Sequence, residues 1–202
     1  MSTNNTVQDK PEPDVLNEIH PLIRRRWSPR GFSDKPITED IAMSLFEAAR
    51  WAPSSYNEQP WRFIYAMKND EEAFQKLCSC LVPGNVEWAK NAPMLVLAVA
   101  KKTYSHNGKH YRHSMHDLGL ALGNFTVEAT SRDLYLRQMG GFVVDKSREV
   151  FEIPNDYEPA TMVAVGYLGS VESLTDNFVK TEYKQQVRKP IEELVFNGFF
   201  QR

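Results

Sequence analysis

The chain has 202 residues, and its 24 Lys and Arg against 26 Asp and Glu give a formal net charge of -2 at pH 7. This balance lacks the long-range positive field on which nucleic-acid binding depends, so we expect no nucleic-acid partner. The longest apolar run, residues 92–100, is far shorter than the roughly 20 residues that span a membrane, so we expect no membrane partner.

The first residues are polar and contain prolines, without an apolar segment behind a basic start. We therefore expect residues 1–13 to be a flexible tail rather than a signal or transit peptide, and residues 14–202 to form one domain. Cys78 and Cys80 are too close for an ordinary disulfide and lack a second pair that would complete a zinc site. We interpret them as partly buried thiols in a reducing cytoplasm.

A first helix is predicted from Val15 to about Arg26, and its end leads into the stretch RRRWSPRGF. Four guanidinium groups within seven positions repel one another, and the planar fork of Arg matches a phosphate in bidentate fashion. The cluster therefore predicts a site for a small anion. The alternative is that some of these arginines are simply solvated at a helix end.

A second helix is predicted to begin after Thr38 and to stop before Pro53. Residues 52–60, APSSYNEQP, then form a loop before a predicted strand, Trp61–Met67. The amide and hydroxyl side chains of this loop offer the donors and acceptors that a planar, polar-edged ring requires. Taken alone, the loop is also what an ordinary polar connection from a helix to a strand looks like.

The remaining predicted elements are a helix from Asn69 and Asp70 to about Leu81, a short helix Val86–Lys90, a strand over residues 93–102, a long helix from Tyr111 to about Asp133, a strand within Tyr135–Gly141, a helix capped by Asp145 to about Phe151, and a strand Ala160–Gly169. Alternating helices and strands predict an α+β or three-layer α/β sandwich. Gly119 and Gly123 in the long helix are interpreted as close packing in the core. The aromatic segment Ile191–Phe200 is expected to pack against a second subunit.

Four histidines cluster in the stretch before the long helix: His106, His110, His113 and His116. The chain has no HExxH pattern, and no cysteine accompanies these histidines. We therefore predict solvated histidines and no metal site.

Several catalytic motifs are missing from the sequence: GxGxxG, the P-loop GxxxxGK[ST] and the GxSxG of serine hydrolases. An arginine cluster, an amide-rich loop and a pair of glycines, Gly140 and Gly141, are present instead. Together they suit a planar ring that carries a phosphate, and flavin mononucleotide (FMN) is such a ligand.

Six segments follow one another across nearly the whole chain: RRRWSPRGF, AARWAPSSYNEQPWRF, NAPMLVLAVA, MGGF, IPNDYEPATMVAVGYLG and RKPIEELV. In order and spacing they resemble the FMN-dependent nitroreductase family. The resemblance implies an α+β, nitroreductase-like three-layer sandwich with a central, mostly antiparallel sheet flanked by helices. It also implies an intertwined homodimer with FMN at the subunit interface, which passes hydride from NAD(P)H to nitroaromatics, quinones or related small-molecule acceptors.

The resemblance also implies which residues bind the cofactor. Those expected at the phosphate and the pyrimidine edge are Arg26, Trp27, Ser28 and Arg30. Those expected against the ring, partly from the other subunit, are Pro53, Ser54, Ser55, Asn57 and Gln59. Further contacts are expected from Asn85, Gly140, Gly141, Arg188 and Lys189. No side chain is expected to be catalytic, because flavin N5 carries the chemistry, while Arg30 supports it electrostatically.

Two departures from the family pattern affect the expected pocket. Trp27 stands where the family often has a second basic residue, so its side chain is expected to pack instead of binding phosphate. The stretch SRDLYLRQMGG replaces a glycine-rich run. Two other functions stay open: a specialised flavin enzyme of the same fold, such as a dehalogenase, and a flavin-binding protein without turnover.

Overall fold

The structure, a computed structural model, describes residues 11–200, so most of the tail expected at residues 1–13 lies outside the described residues. Within that range, four strands form one antiparallel sheet: β1 (Trp61–Met67), β2 (Met94–Lys101), β3 (Leu134–Met139) and β4 (Tyr157–Tyr167). Their spatial order is β1-β2-β4-β3, so β1 and β3 are the two edges. No helix in residues 11–200 is long and apolar enough to cross a membrane.

Helices cover both faces of the sheet. On one face α2 (Glu39–Arg50) and α5 (Ser114–Ser131) bury an apolar cluster against the strands. On the other face α3 (Glu71–Ser79) and α4 (Pro83–Ala89) bury a second cluster that includes Trp88. Both faces of the central strand β2 are covered, and accordingly its residues from Met94 to Ala100 are all apolar and buried. The predicted α+β, three-layer architecture is confirmed.

The predicted start of β4 at Ala160 was wrong, because the strand begins at Tyr157. A proline inside a central strand argues against pairing, since it has no N–H to donate. Here the register shifts: Val99 pairs with Pro159 and Ala98 with Thr161. Ala160 is therefore an extra residue, and this β-bulge lets Pro159 sit within the strand.

The first helix, α1, covers only Pro21–Arg25, so the predicted start at Val15 was wrong. Helical geometry is disfavoured for the residue before a proline, and His20, which precedes Pro21, is extended, with ψ 137°. The Nδ1 of His20 accepts a hydrogen bond from the backbone N–H of Leu22 at 3.2 Å, so His20 caps the start of the helix. Proline is also favoured in the first turn of a helix, and α4 accordingly begins at Pro83 rather than at the predicted Val86.

Other boundaries shift by smaller amounts. The helix α3 ends at Ser79, before the predicted Leu81, and α5 begins at Ser114 rather than Tyr111. The helix α6 (Val144–Val150) has Val143 at its N-cap position, with the predicted cap Asp145 in the first turn instead. A seventh helix, α7 (Asp176–Glu182), was not predicted.

The two faces of α5 are both apolar. Its inner stripe of Leu118, Leu122, Phe125 and Ala129 is buried, as predicted. Its outer stripe, at four-residue spacing, consists of Met115, Gly119, Gly123 and Val127, and it is exposed. A Cβ atom at either glycine would meet no other described heavy atom within 4 Å. The interpretation of these glycines as core packing was therefore wrong.

Candidate functional site

A cavity of about 440 Å³ lies between the end of α1 and residues 181–188, and we call it the cationic pocket. It is lined by Arg26, Trp27, Ser28, Arg30, Arg137, Thr181, Glu182, Lys184, Gln186 and Arg188. Five of these were predicted site residues: Arg26, Trp27, Ser28, Arg30 and Arg188. Among the described residues, its lining combines five cationic side chains with one carboxylate, so the pocket has a strong excess of positive charge.

Arg26 and Arg188 converge on a single amide. Gln186 Oε1 accepts from Arg26 Nη2 at 3.1 Å and from Arg188 Nη2 at 3.4 Å. Arg26 Nη1 also donates to Ser28 Oγ at 3.0 Å. Burial and the nearby charge of Arg188 lower the pKa of Arg26. The two guanidinium groups therefore repel each other, and an anion between them would relieve that repulsion.

Glu182, on α7, fixes the turn that carries Arg30. Its side chain is only 2% exposed. It accepts hydrogen bonds from the backbone N–H groups of Arg30 and Gly31, the second at 2.9 Å, and pairs with Arg30 Nη1 at 3.4 Å. The Arg30 guanidinium also lies over the ring of Phe178, 4.8 Å from its centroid. A buried carboxylate with several donors is held firmly, so Arg30 has a defined place in the pocket.

Arg137 joins the pocket from the edge strand β3. Its Nη1 donates to the carbonyl of Ser28 at 2.5 Å, and its guanidinium lies 5.7 Å from the ring centroid of Trp88. Burial and the charge of Arg30 lower the pKa of Arg137, against an opposing effect of Glu182. Sequence reasoning missed this residue, although an arginine within a predicted strand was the available signal.

Trp27 contributes to packing. Its side chain is buried against the rings of Tyr183 and Tyr135, with centroids at 5.6 and 6.4 Å. Lys189 does not line the cationic pocket; its Nζ instead lies 3.8 Å from Glu193 Oε2.

The segment of residues 52–60 has an unusual backbone, and we call it the left-handed loop. Tyr56, Asn57 and Gln59 have φ angles of 55°, 53° and 51°. Non-glycine residues in this region cost about 1 kcal/mol or more each, and such strain persists where surrounding contacts impose it. Ser54 Oγ supplies one such contact by accepting from the N–H of Gln59 at 3.0 Å.

Asp117, near the start of α5, supplies the other contacts. It is 2% exposed, and it accepts from the N–H of Ser55 at 2.8 Å, from the hydroxyl of Tyr111 and from His116 Nδ1 at 2.7 Å. Burial alone would raise the pKa of Asp117, but hydrogen bonds from Tyr111, His116 and Ser55 outweigh it and lower the pKa. Burial and the Asp117 hydrogen bond raise the pKa of Tyr111. Sequence reasoning missed this aspartate, because nothing in its local pattern indicates that it holds the loop.

Asn85 and Gly141 form a third group. Asn85 Nδ2 donates to the carbonyl of Gly141 at 2.9 Å. A Cβ at Gly141 would lie 2.7 Å from that nitrogen, so a side chain there would displace Asn85. Gly140, by contrast, is exposed, and a Cβ there would meet no described atom within 4 Å. Gly140 thus leaves its backbone open to an approaching ligand.

The cationic pocket and the left-handed loop lie at opposite ends of α5. Asp117 ties the loop to the first turn, whereas the carbonyl of Thr130 in the last turn accepts from Arg25 Nη2, next to the pocket. These two positions are about 20 Å apart along a helix that rises 1.5 Å per residue. Within one protomer, the predicted site residues are therefore divided into separate groups.

The histidines and cysteines show no metal site. Within residues 11–200, no group of three or more His, Cys, Asp or Glu residues is placed to hold a metal ion. Cys78 and Cys80 are free and buried, and burial raises the pKa of Cys78 to about 11.

Comparison with known proteins gives consistent results. The sequence model of the Nitroreductase family matches residues 23–167. A crystal structure described as an oxidoreductase containing FMN superposes with a TM-score of 0.88 at 32% identity, covering 96% of this chain and 98% of that one. A nitroreductase family protein from Clostridium difficile superposes with a TM-score of 0.68 at 24% identity, covering 89% of this chain and 97% of that one, which supports the fold.

One curated relative matches a shorter stretch. A Rhodopseudomonas palustris protein named "Putative NADH dehydrogenase/NAD(P)H nitroreductase" is 36% identical over 76 residues. That alignment covers 38% of this chain and 37% of the relative, so the match spans well under half of either protein.

Proposed function

Because this chain belongs to the Nitroreductase family, we propose that it is an FMN-dependent oxidoreductase that uses NAD(P)H to reduce nitroaromatics, quinones or related small molecules. The observation that carries the proposal is the cationic pocket, where five cationic side chains face one carboxylate. Such an excess of charge suits a compact phosphate better than a neutral ligand.

The residues of the pocket fit the phosphate of FMN. Arg26 and Arg188 provide the converging guanidinium groups, and Ser28 adds a hydroxyl that either donates or accepts. Arg137, already held against the Ser28 carbonyl, adds further positive charge. We propose that these four residues hold the phosphate. That Lys189 also contacts the phosphate, as a second basic residue beside Arg188, stays a prediction.

Arg30 has a different proposed role. Glu182 fixes both its backbone and its guanidinium, so its charge is preorganised rather than mobile. A fixed positive charge stabilises negative charge that develops nearby without reorganisation. We propose that Arg30 lies at the pyrimidine edge of the flavin. When bound, the flavin accepts hydride from NAD(P)H and passes electrons to the acceptor.

The outer face of α5 supports a homodimer. A helix that is apolar on both faces is normally buried on both, and the exposed stripe of Met115, Gly119, Gly123 and Val127 has two small residues at its centre. Two-fold symmetric dimers are the commonest homo-oligomers, and in such a dimer the stripe of one subunit would pack against the same stripe of the other. We propose that two copies of α5 pack antiparallel there, and that the exposed segment Ile191–Phe200 adds to the interface.

This packing would bring the divided groups together. In an antiparallel pair, the first turn of one α5 lies beside the last turn of the other. The left-handed loop of one protomer would then approach the cationic pocket of its partner, with Pro53, Ser54, Ser55, Asn57 and Gln59 against the flavin ring. Asn85, Gly140 and Gly141 are proposed as further contacts. We also propose a single domain over residues 14–202 and a cytoplasmic location.

The proposal is tested by the visible spectrum of the purified protein after incubation with FMN, followed by NAD(P)H oxidation with a quinone. We expect a bound-flavin spectrum and steady turnover. Arg30→Ala should weaken FMN retention and slow reduction, whereas Lys76→Gln on the exposed face of α3 should change neither. Protein that takes up no FMN would contradict the proposal.

The same assay separates the two alternatives. A flavin-binding protein without turnover would show the spectrum but no NAD(P)H oxidation. A dehalogenase-like enzyme would release halide from a halogenated aromatic while leaving the quinone unreduced.

A further inference from the structure

Residues 101–112 form a hairpin beside the left-handed loop, and we call it the basic hairpin. Thr103 forms a β-bridge with His110, and backbone hydrogen bonds link Tyr104 to Lys109 at 2.9 Å and Tyr111 to Lys102 at 2.7 Å. The turn closes at Gly108, whose φ of 68° suits glycine. The hairpin is therefore an ordered structure that presents fixed side chains.

The hairpin carries a concentrated positive charge on an otherwise near-neutral protein. Residues 101–112 contain four Lys or Arg and two His, with no Asp or Glu. Lys102 lies 3.9 Å from Glu158, and Lys101 donates to Ser105 Oγ at 2.7 Å. Lys109 and Arg112 are exposed, and neither forms an ion pair with any residue in the described part of the chain. These two cations are available to an anion.

Several contacts tie this hairpin to the left-handed loop. The hydroxyls of Ser55 and Tyr104 lie 3.4 Å apart, and Glu58 accepts from the backbone N–H of Ser105 at 2.7 Å. The rings of Tyr56 and Tyr104 meet edge to face, with centroids 5.9 Å apart. A ligand on the loop would therefore find cations within the same rigid unit.

Tyr56, in the left-handed loop, adds an exposed aromatic ring beside the basic hairpin. Its side chain is 84% exposed although it is aromatic, and its backbone is left-handed, with φ 55°. An aromatic residue gains nothing from exposure to water, and a left-handed backbone disfavours it further. Its exposed ring offers a place for a flat heterocycle to stack, as bases stack on aromatic side chains in nucleic-acid complexes.

We infer that the basic hairpin, with Tyr56, binds the adenosine 2′-phosphate portion of NADPH and makes this chain prefer NADPH to NADH. The inference rests on the proposed function, which needs a pyridine nucleotide donor but does not choose between the two. NADPH differs from NADH by one phosphate group on the adenosine ribose. In dinucleotide sites an Arg near the ribose accommodates this phosphate, and Lys109 and Arg112 are cations of the kind that bind phosphate.

The kinetic test compares KM for NADPH and NADH in the FMN-loaded protein and in the double variant Lys109→Gln/Arg112→Gln. We expect the variant to raise KM for NADPH about tenfold or more, because it removes both cations proposed to contact the 2′-phosphate, with the NADH value changing less than about twofold. The NADPH preference should also shrink as salt is raised. Lys76→Gln/Lys146→Gln, on exposed positions of α3 and α6, is the charge-matched control and should match the wild type.

Tyr56→Asn tests the stacking surface separately. Asn tolerates the left-handed backbone better than most residues, so the loop should keep its shape without the ring. Because both nucleotides contain the same adenine, KM should rise for NADPH and NADH by the same factor. A change confined to one nucleotide would contradict the stacking role.

Calorimetry separates the inference from the proposed function. Adenosine 2′,5′-bisphosphate and adenosine 5′-diphosphate are titrated into the wild type and the double variant, with no turnover required. We expect the 2′-phosphorylated probe to bind more tightly to the wild type, and this difference to disappear in the variant.

Each outcome has a definite meaning. Turnover with equal KM values for both nucleotides, or an NADPH preference that survives the double variant, overturns the inference and leaves the proposed function intact. Absence of turnover with either nucleotide overturns the proposed function. The calorimetric difference then decides whether the hairpin binds the 2′-phosphate.

Discussion

The two ends of α5 carry regions of opposite construction. At its last turn, the cationic pocket holds several like charges close together. Burial and the charge of a neighbouring arginine lower the pKa of Arg26 and that of Arg137. At its first turn, the left-handed loop is strained in the backbone, but Ser54 Oγ and the Asp117 carboxylate compensate by accepting hydrogen bonds from its backbone N–H groups. The proposed phosphate site therefore comes at the expense of stability in the pocket, whereas the contacts of the loop stabilise its shape.

The largest effect that would sharpen this comparison is expected at the pocket. Arg26→Ala/Arg188→Ala should weaken FMN binding by about 100-fold or more, because charge-assisted hydrogen bonds contribute about 1.5–3 kcal/mol each. The melting temperature without FMN should stay the same or rise, since a repulsive pair is removed. Fluorescence titration of FMN and thermal unfolding measure the two effects. A lower melting temperature with unchanged affinity would reverse the assignment.

The opposite result is expected at the loop. Asp117→Ala removes the acceptor of three hydrogen bonds from a buried position, so the free energy of unfolding should fall by about 2–3 kcal/mol. Asp145→Ala, in the first turn of α6, is the matched control, and its exposed position predicts less than about 0.5 kcal/mol. Urea unfolding at pH 7 makes the comparison. Equal losses in both variants would show that Asp117 does not hold the loop.

The pH dependence of stability tests the same carboxylate. The pKa of Asp117 is lower in the folded chain than its ordinary value of 3.8, so on acidification the unfolded chain binds the proton first. This contribution is present above the ordinary pKa and is lost as pH falls through the lower, folded pKa. Asp117→Asn should therefore flatten the stability profile below about pH 4. An unchanged acid slope would contradict the pKa direction.

The smallest effect concerns backbone strain. Gln59→Gly should stabilise the protein by about 0.5 kcal/mol or less, because glycine adopts a φ of 51° freely but also gains entropy in the unfolded chain. Asn57→Gly should gain less, since asparagine already tolerates this region. Chemical denaturation of both variants beside the wild type tests the order. A loss larger than about 1 kcal/mol at Gln59 would show that its side chain matters more than its backbone.

Local signals decided which elements could be predicted. The start of α2 and both bounds of the strand β1 were predicted correctly, because a Thr cap and an aromatic, β-branched run are properties of neighbouring residues. Pro159 misled the prediction of β4, since the bulge that accommodates it depends on the register with β2. The helix α7 is only 7 residues long and has too little periodicity to detect.

In the candidate site, too, the features that depend on neighbouring residues were predicted and those that depend on distant contacts were not. Arg26, Ser28 and Arg188 were predicted to share a phosphate site, and they do line one pocket. Glu182 and Asp117 were missed because their roles depend on backbone N–H groups more than 60 residues away in sequence. A single sequence shows which side chains could bind, but it does not show which buried carboxylates orient them.

The length of α5 has a genetic consequence under the proposed antiparallel dimer. Each active centre would combine the pocket of one subunit with the loop of the other. A mixed dimer of a pocket-defective chain and a loop-defective chain would then have one doubly damaged centre and one fully intact centre. Co-expressed chains that are each inactive should therefore complement one another, whereas two different pocket-defective chains should not.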